Sequence, residues 1–338
     1  MDPLGWLWLQ FFLCAALIGT AGYFLSRYGD VIAGKTGLSR TWIGLVLLAT
    51  VTSLPELVTG VTAVTVADSP NIAVGDVFGS CVFNLAILVV VDLIHREESV
   101  YRRASQGHVL SGAFGIVLIG LAGASVLLGS RTEGFAIAHF GAYAPVLVLG
   151  YLVAVRLVYA YERAQLREFA TDMADRYPDL TIRQAIARYA LAATAVVAGG
   201  IWLPFLGISI AEATGWHKSF VGTQFVAAAT SLPELAVTIA AVRIGAVDMA
   251  VANLLGSNLF DMLVLAVDDF FYTPGPLLAH VSQAHAASAF SAMTMTGLAI
   301  VGLLYRPANR MFNVAGWVSV ALSAIYLLNS YVLFAYGN

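Results

Sequence analysis

At 338 residues, 59% hydrophobic and only 11% charged, with a mean hydropathy of +0.83, the chain lies far from soluble domains, in which roughly a quarter of residues are charged. Its composition is that of a polytopic membrane protein. A net charge of −3 is too small to suggest a nucleic-acid partner, and Cys14 and Cys81 sit in apolar stretches, so no disulfide framework is implied.

Met1 to about Arg27 carries an apolar run with no basic leader, too long for a signal peptide, and reads as the first span. Further apolar stretches of roughly 20 residues, enough to cross about 30 Å of hydrocarbon, begin near Thr41, Asn71, Gly107, Gly141, Ala185, His217, Val247, Ala284 and Met311. The expected fold is therefore all-α, with ten transmembrane helices.

The second span, about Thr41 to Ala67, and the seventh, about His217 to Val242, contain the same six residues: Thr52-Ser53-Leu54-Pro55-Glu56-Leu57 and Thr230-Ser231-Leu232-Pro233-Glu234-Leu235. Proline removes a backbone N–H in mid-span, which frees carbonyls near Val51, Thr52, Ala229 and Thr230. Lipid cannot satisfy them. An ionisable residue beside freed carbonyls, at matching places in two halves, points to a transporter's ion site. The match continues into the following span. Ala73, Asp76, Ser80, Phe83, Asn84, Leu88 and Asp92 align at an offset of 177 with Ala250, Asn253, Ser257, Phe260, Asp261, Leu265 and Asp269, a self-similarity that indicates duplication.

Two five-helix repeats follow, residues 1–161 and 185–338, joined by a linker at 162–184, with the duplicated motifs at about 44–92 and 222–269. Five is odd, so the second repeat starts on the opposite side of the membrane and the repeats are inverted. With that threading, fifteen of the seventeen Lys and Arg residues fall on one side, leaving Arg131 and Lys218 on the other. The positive-inside rule then puts both termini outside the cytoplasm. The linker reads as a solvated helical segment.

Asp76, Ser80 and Asn84, like Asn253, Ser257 and Asp261, are four residues apart and form one stripe per helix. All six can face one centre. Gly75, Gly79, Ala252 and Gly256 lie beside the stripes and permit close approach of the broken helices. Carboxylates, hydroxyls and amides with no His or thiolate in register suit hard cations, Ca²⁺ or Na⁺, and not zinc or copper. Cys81 points about 100° off its stripe and is set aside as a ligand. The six histidines fall at span ends or in loops, where an interfacial role is expected. Several carboxylates at mid-membrane must stay neutralised by cations or protons. Such a site favours exchange over leak.

The two motifs resemble the alpha-repeats of the sodium/calcium exchanger family, within the wider cation/Ca²⁺ exchanger superfamily. The resemblance implies that Glu56 and Glu234 bind Ca²⁺ in competition with Na⁺, helped by Thr52, Ser53, Ser80 and Asn84 and by Thr230, Ser231, Ser257 and Asp261. It implies antiport by alternating access, not enzymatic turnover. The partners are the transported cations and the bilayer of a plasma or inner membrane, with no resident cofactor, and one chain is expected to suffice. The chain departs from the family pattern at Val51 and Ala229, where glycine is usual, and at Asp76 and Cys81, where asparagine is usual. The alternative is a proton- or potassium-linked exchanger of the same fold. A cation channel or an intramembrane hydrolase is the remaining reading, but Ser53 and Ser231 have no His or Lys in register to serve as base.

Overall fold

The computed structural model describes residues 3–36, 49–94, 99–129, 131, 136–166, 180–243, 245–307, 310–311 and 315–337. The start of the second expected span, Gly44 within it, and linker residues 167–179 lie outside the described residues. Among those described, eight helices are long and apolar enough to cross a membrane, and a bent pair makes a ninth span.

The first is α1 (Pro3–Thr36). The described part of the second expected span is two pieces, α2 (Ala49–Thr52) and α3 (Leu54–Thr65). They are followed by α4 (Pro70–Ile94), the short α5 (Val100–Arg103), α6 (His108–Leu128) and α7 (Tyr143–Leu166). The rest of the chain is α8 (Ile182–Thr214), α9 (Lys218–Val221), α10 (Ala227–Thr230), α11 (Leu232–Arg243), α12 (Val247–Phe271), α13 (His285–Tyr305) and α14 (Trp317–Tyr336). Two-residue antiparallel pairs, β1 (Ala136–Ile137) with β2 (Phe140–Gly141) and β3 (Arg310–Met311) with β4 (Ala315–Gly316), lead into α7 and α14. The helical end of the expected linker thus belongs to α7, which runs on to Leu166.

Local chemistry sets these boundaries. Pro70 opens α4, a first-turn position where its missing N–H costs nothing. Thr181 and Gln184 form a reciprocal capping box at the start of α8, and Gly215, at φ +72°, ends it in a left-handed turn. Ser53 (φ −89°, ψ 15°) and Ser231 (φ −84°, ψ 9°) leave helical geometry just ahead of Pro55 and Pro233. In the second copy the axis bends by 46° there. A π-helical turn, Gly222–Val226, precedes that bend, and its Gln224 accepts hydroxyls from Tyr326 and Ser330 of α14.

Burial identifies the central helices. In their most apolar stretches α12 is 83% and α4 67% buried, against 28% for α1 and for α14. The sheath helices turn Phe12, Leu149, Leu191 and Leu327 outward, as lipid-facing surfaces do. The long helices α1 and α8 pack on each other and clamp the broken segments. Gly22 of α1 lies so close to Pro233 that a Cβ there would collide with its ring, and Gly200 of α8 does the same against Val58. As expected, Gly75 and Gly79 permit close approach: a Cβ at Gly79 would sit 2.6 Å from the carbonyl oxygen of Thr223, and one at Gly75 would lie 3.1 Å from Gly222 Cα.

Candidate functional site

Each break in the motif spans carries its serine to the glutamate of the other copy. Ser53 donates to Glu234 Oε1 at 3.1 Å, and Ser231 donates to Glu56 Oε1 at 3.1 Å. The central helices complete the pattern within each half, since Ser80 donates to Glu56 Oε1 at 3.5 Å and Ser257 to Glu234 Oε1 at 3.3 Å. Thr52 also bonds the Glu234 side chain. Ser231 Oγ lies 3.0 Å from Ser80 Oγ. Thr230 donates to Asp76 Oδ1 at 2.8 Å. All of these side chains are buried.

The remaining expected residues, Asn84 and Asp261, lie one turn further along α4 and α12. They belong to a second small network. Asn84 Nδ2 donates to Asn258 Oδ1 at 3.0 Å, Asn258 Nδ2 donates to the Cys81 carbonyl at 3.1 Å, and Cys81 Sγ donates to Asp261 Oδ2 at 3.5 Å. Cys81, set aside as a ligand, is a thiol donor that ties α4 to Asp261 of α12. It leaves the stripe of its own helix, but α12 packs on the flank it faces and brings Asp261 to it. Asn258 was not anticipated, although the 177 offset pairs it with Cys81. Asn253 does not join the centre: it donates to Thr238 at 3.2 Å, a turn away from the glutamates.

The free atoms tell what the arrangement can do. Glu56 and Glu234 each use Oε1 for hydroxyl donors while Oε2 has no partner; Asp76 Oδ2, Asn84 Oδ1 and Asp261 Oδ1 are likewise buried and unpartnered. Buried oxygens left this way are costly unless something positive meets them. All are hard donors, and Pro55 and Pro233 have no N–H to offer the carbonyls of Val51 and Ala229.

Two further acids, Asp92 and Asp269, proved to be structural. Asp92 accepts from the N–H of Val100 (3.2 Å), the N–H of Gly316 (3.0 Å) and Ser319 Oγ (2.7 Å). Asp269 accepts from the N–H of Leu277 (2.6 Å), the N–H of Gly141 (2.8 Å) and Tyr143 OH (2.7 Å). Each ties a central helix to the hairpin that opens a sheath helix. Two histidines are also more than interfacial: His108 pairs with Asp248 and His285 with Asn71, both at 3.0 Å, and both rings are buried.

Residues 6–160 and 185–336 match the family model described as sodium/calcium exchanger protein. The sodium/calcium exchanger MaX1 of Methanosarcina acetivorans is 26% identical over 359 residues, covering 94% of this chain and 95% of that relative. A structure of the sodium-calcium exchanger NCX_Mj superposes with a TM-score of 0.61 at 20% identity, covering 95% of this chain and 97% of the other. The H⁺/Ca²⁺ exchanger CAX gives a TM-score of 0.66 at 14% identity over 97% and 88% of the two chains. At these identities the two structures speak for the fold alone.

Proposed function

Because the chain belongs to the sodium/calcium exchanger family, we propose that it exchanges Ca²⁺ for Na⁺ by alternating access around the Glu56–Glu234 pair, held near the bilayer midplane by two inverted five-helix repeats. The observation that carries this reading is the reciprocal pairing: each motif serine holds the opposite glutamate by Oε1 while both Oε2 atoms stay open. An inverted repeat produces such exchange symmetry. In this reading the tenth span is the second in chain order, of which α2 and α3 are the described part.

Ca²⁺ takes six to eight oxygen ligands in flexible geometry. Glu56 and Glu234 supply the two negative charges that a divalent ion needs, and Thr52, Ser53, Ser80, Thr230, Ser231 and Ser257 supply hydroxyl or backbone oxygen around them, with Asn84 and Asp261 at the flank. Sodium ions occupying the same oxygens replace the charge without conserving the geometry. Emptying the site leaves two carboxylates facing each other in low dielectric, which penalises the unloaded crossing and couples the two ions. The cluster is assembled from side chains of one chain, which supports the reading that a single chain suffices for transport. The Lys and Arg distribution supports termini outside the cytoplasm, and a plasma or inner membrane is the location proposed with it.

A proton-linked cycle is the second reading, favoured by Asp76 and Asp261, which add carboxylates beyond those that one Ca²⁺ neutralises. Ca²⁺ uptake into proteoliposomes, with Na⁺, K⁺ and pH gradients imposed in turn, separates the two. Uptake driven by Na⁺ alone is expected; uptake driven only by a pH or K⁺ gradient would replace the first reading by the second.

A further inference from the structure

Asp268 and Asp269 are neighbours on α12, both sealed from solvent, with opposite surroundings. Asp269 is held by three donors. Asp268 has no partner for either carboxylate oxygen. It faces Gly60 of α3, where a Cβ would come within 2.6 Å of its Oδ1, so its carboxylate fills the space a side chain at Gly60 would take.

Gly60 is one helical turn beyond Glu56. Because α3 and α4 are joined by the short turn at 66–69, Asp76, near the start of α4, lies on that same side of the glutamate pair. Its Oδ1 takes the Thr230 hydroxyl and its Oδ2 is free. The positions equivalent to Gly60, Asp76 and Asp268 in the other copy are Thr238, Asn253 and Val91. Thr238 and Asn253 bond each other, and all three are neutral. One side of the site therefore carries two extra buried carboxylates and the other none.

We propose that Asp268 is a proton-binding site on the approach to the glutamate pair from the Gly60 side. A carboxylate sealed from water, with no hydroxyl or N–H in reach, is strongly disfavoured as an anion. Among the described residues, the charged groups that act on it are Asp76 on α4 and Asp269 on its own helix, and both are acids; His139 is tied to the carbonyl of Phe270 at 2.7 Å. A hydrogen ion neutralises Asp268 without the shell of oxygen ligands that a metal requires. A cation entering from this side meets the proton first, so exchange is sensitive to pH on one face of the membrane and less so on the other.

The test is infrared titration of the full chain in lipid nanodiscs without Ca²⁺, following the C=O stretch of protonated carboxyl groups, and it holds whichever cation is the cargo. The wild type is expected to keep a protonated-carboxyl band at neutral pH that Asp268→Asn lacks, with unchanged thermal stability because the amide is neutral and nearly isosteric. Gly60→Ala, which crowds the same carboxyl, is expected to shift that band, and gives the answer on its own should Asp268→Asn not fold. Identical spectra for Asp268→Asn and wild type, or an unmoved band in Gly60→Ala, would overturn the proposal. So would loss of Ca²⁺ binding by folded Asp268→Asn, measured calorimetrically at high pH, since Asp268 would then be a cation ligand.

Discussion

Ser53 and Ser231 each reach across to the glutamate of the other copy at the same distance of 3.1 Å, so removing either hydroxyl deprives one carboxylate of a donor. Hydrogen bonds to charged groups contribute about 1.5–3 kcal/mol. Ser53→Ala and Ser231→Ala should therefore weaken Ca²⁺ binding by about tenfold or more each, and by similar amounts, in calorimetric titration of the purified protein. A large effect from one serine and none from the other would break the equivalence. At this scale the sequence was informative where chemistry repeats: the duplicated glutamates, threonines and serines converge as expected. The Cys81–Asp261 bond and the part played by Asn258 were not anticipated, for one reason. A side chain's angle on its own helix says nothing about which neighbour packs on that flank, and Asp261 meets Cys81 only because α12 lies there.

The helices are joined by polar ties placed equivalently in both halves. Asp92 and Asp269, 177 residues apart, each receive the N–H eight residues ahead and the N–H of a hairpin glycine more than a hundred residues away. Asn71 and Asp248 likewise receive Ser282 N–H and Ser105 N–H beside the rings of His285 and His108. Asp92→Asn and Asp269→Asn each present an amide N–H₂ to a nest of donors. Each should lower stability by about 2–3 kcal/mol, read as a fall in the thermal midpoint in detergent, without changing Ca²⁺ affinity in the protein that remains folded. A change in affinity with no change in midpoint would make these acids part of the ion path. The sequence showed these acids as symmetric but not what they do, since their partners come from hairpins too short and irregular to carry a periodic signal. It placed the described helix starts near Asn71, Gly107, Gly141, Ala185, His217, Val247 and Ala284 closely, but put the last near Met311, well ahead of Trp317, where the short β3–β4 pair intervenes.

For the whole molecule, composition places the chain in a membrane, and the odd number of spans expected in each duplicated unit is the reason for proposing that the units are inverted. Which face is cytoplasmic rests on the Lys and Arg distribution. A cysteine placed at Gln165 should be protected from an impermeant external thiol reagent in intact cells and labelled after permeabilisation; both native cysteines are buried, so the background is low. External labelling would invert the orientation.

The central claim is that one site is built from both halves, with each glutamate supplying a charge the cation needs. Its most direct test is Na⁺-driven Ca²⁺ flux in proteoliposomes containing Glu56→Gln or Glu234→Gln, alongside a check that each variant remains monodisperse and inserted. An amide oxygen carries no charge to offset a divalent ion and is a much weaker hard-cation ligand. Both variants should lose Ca²⁺ flux while staying folded. Near-normal uptake by either one would contradict the shared site.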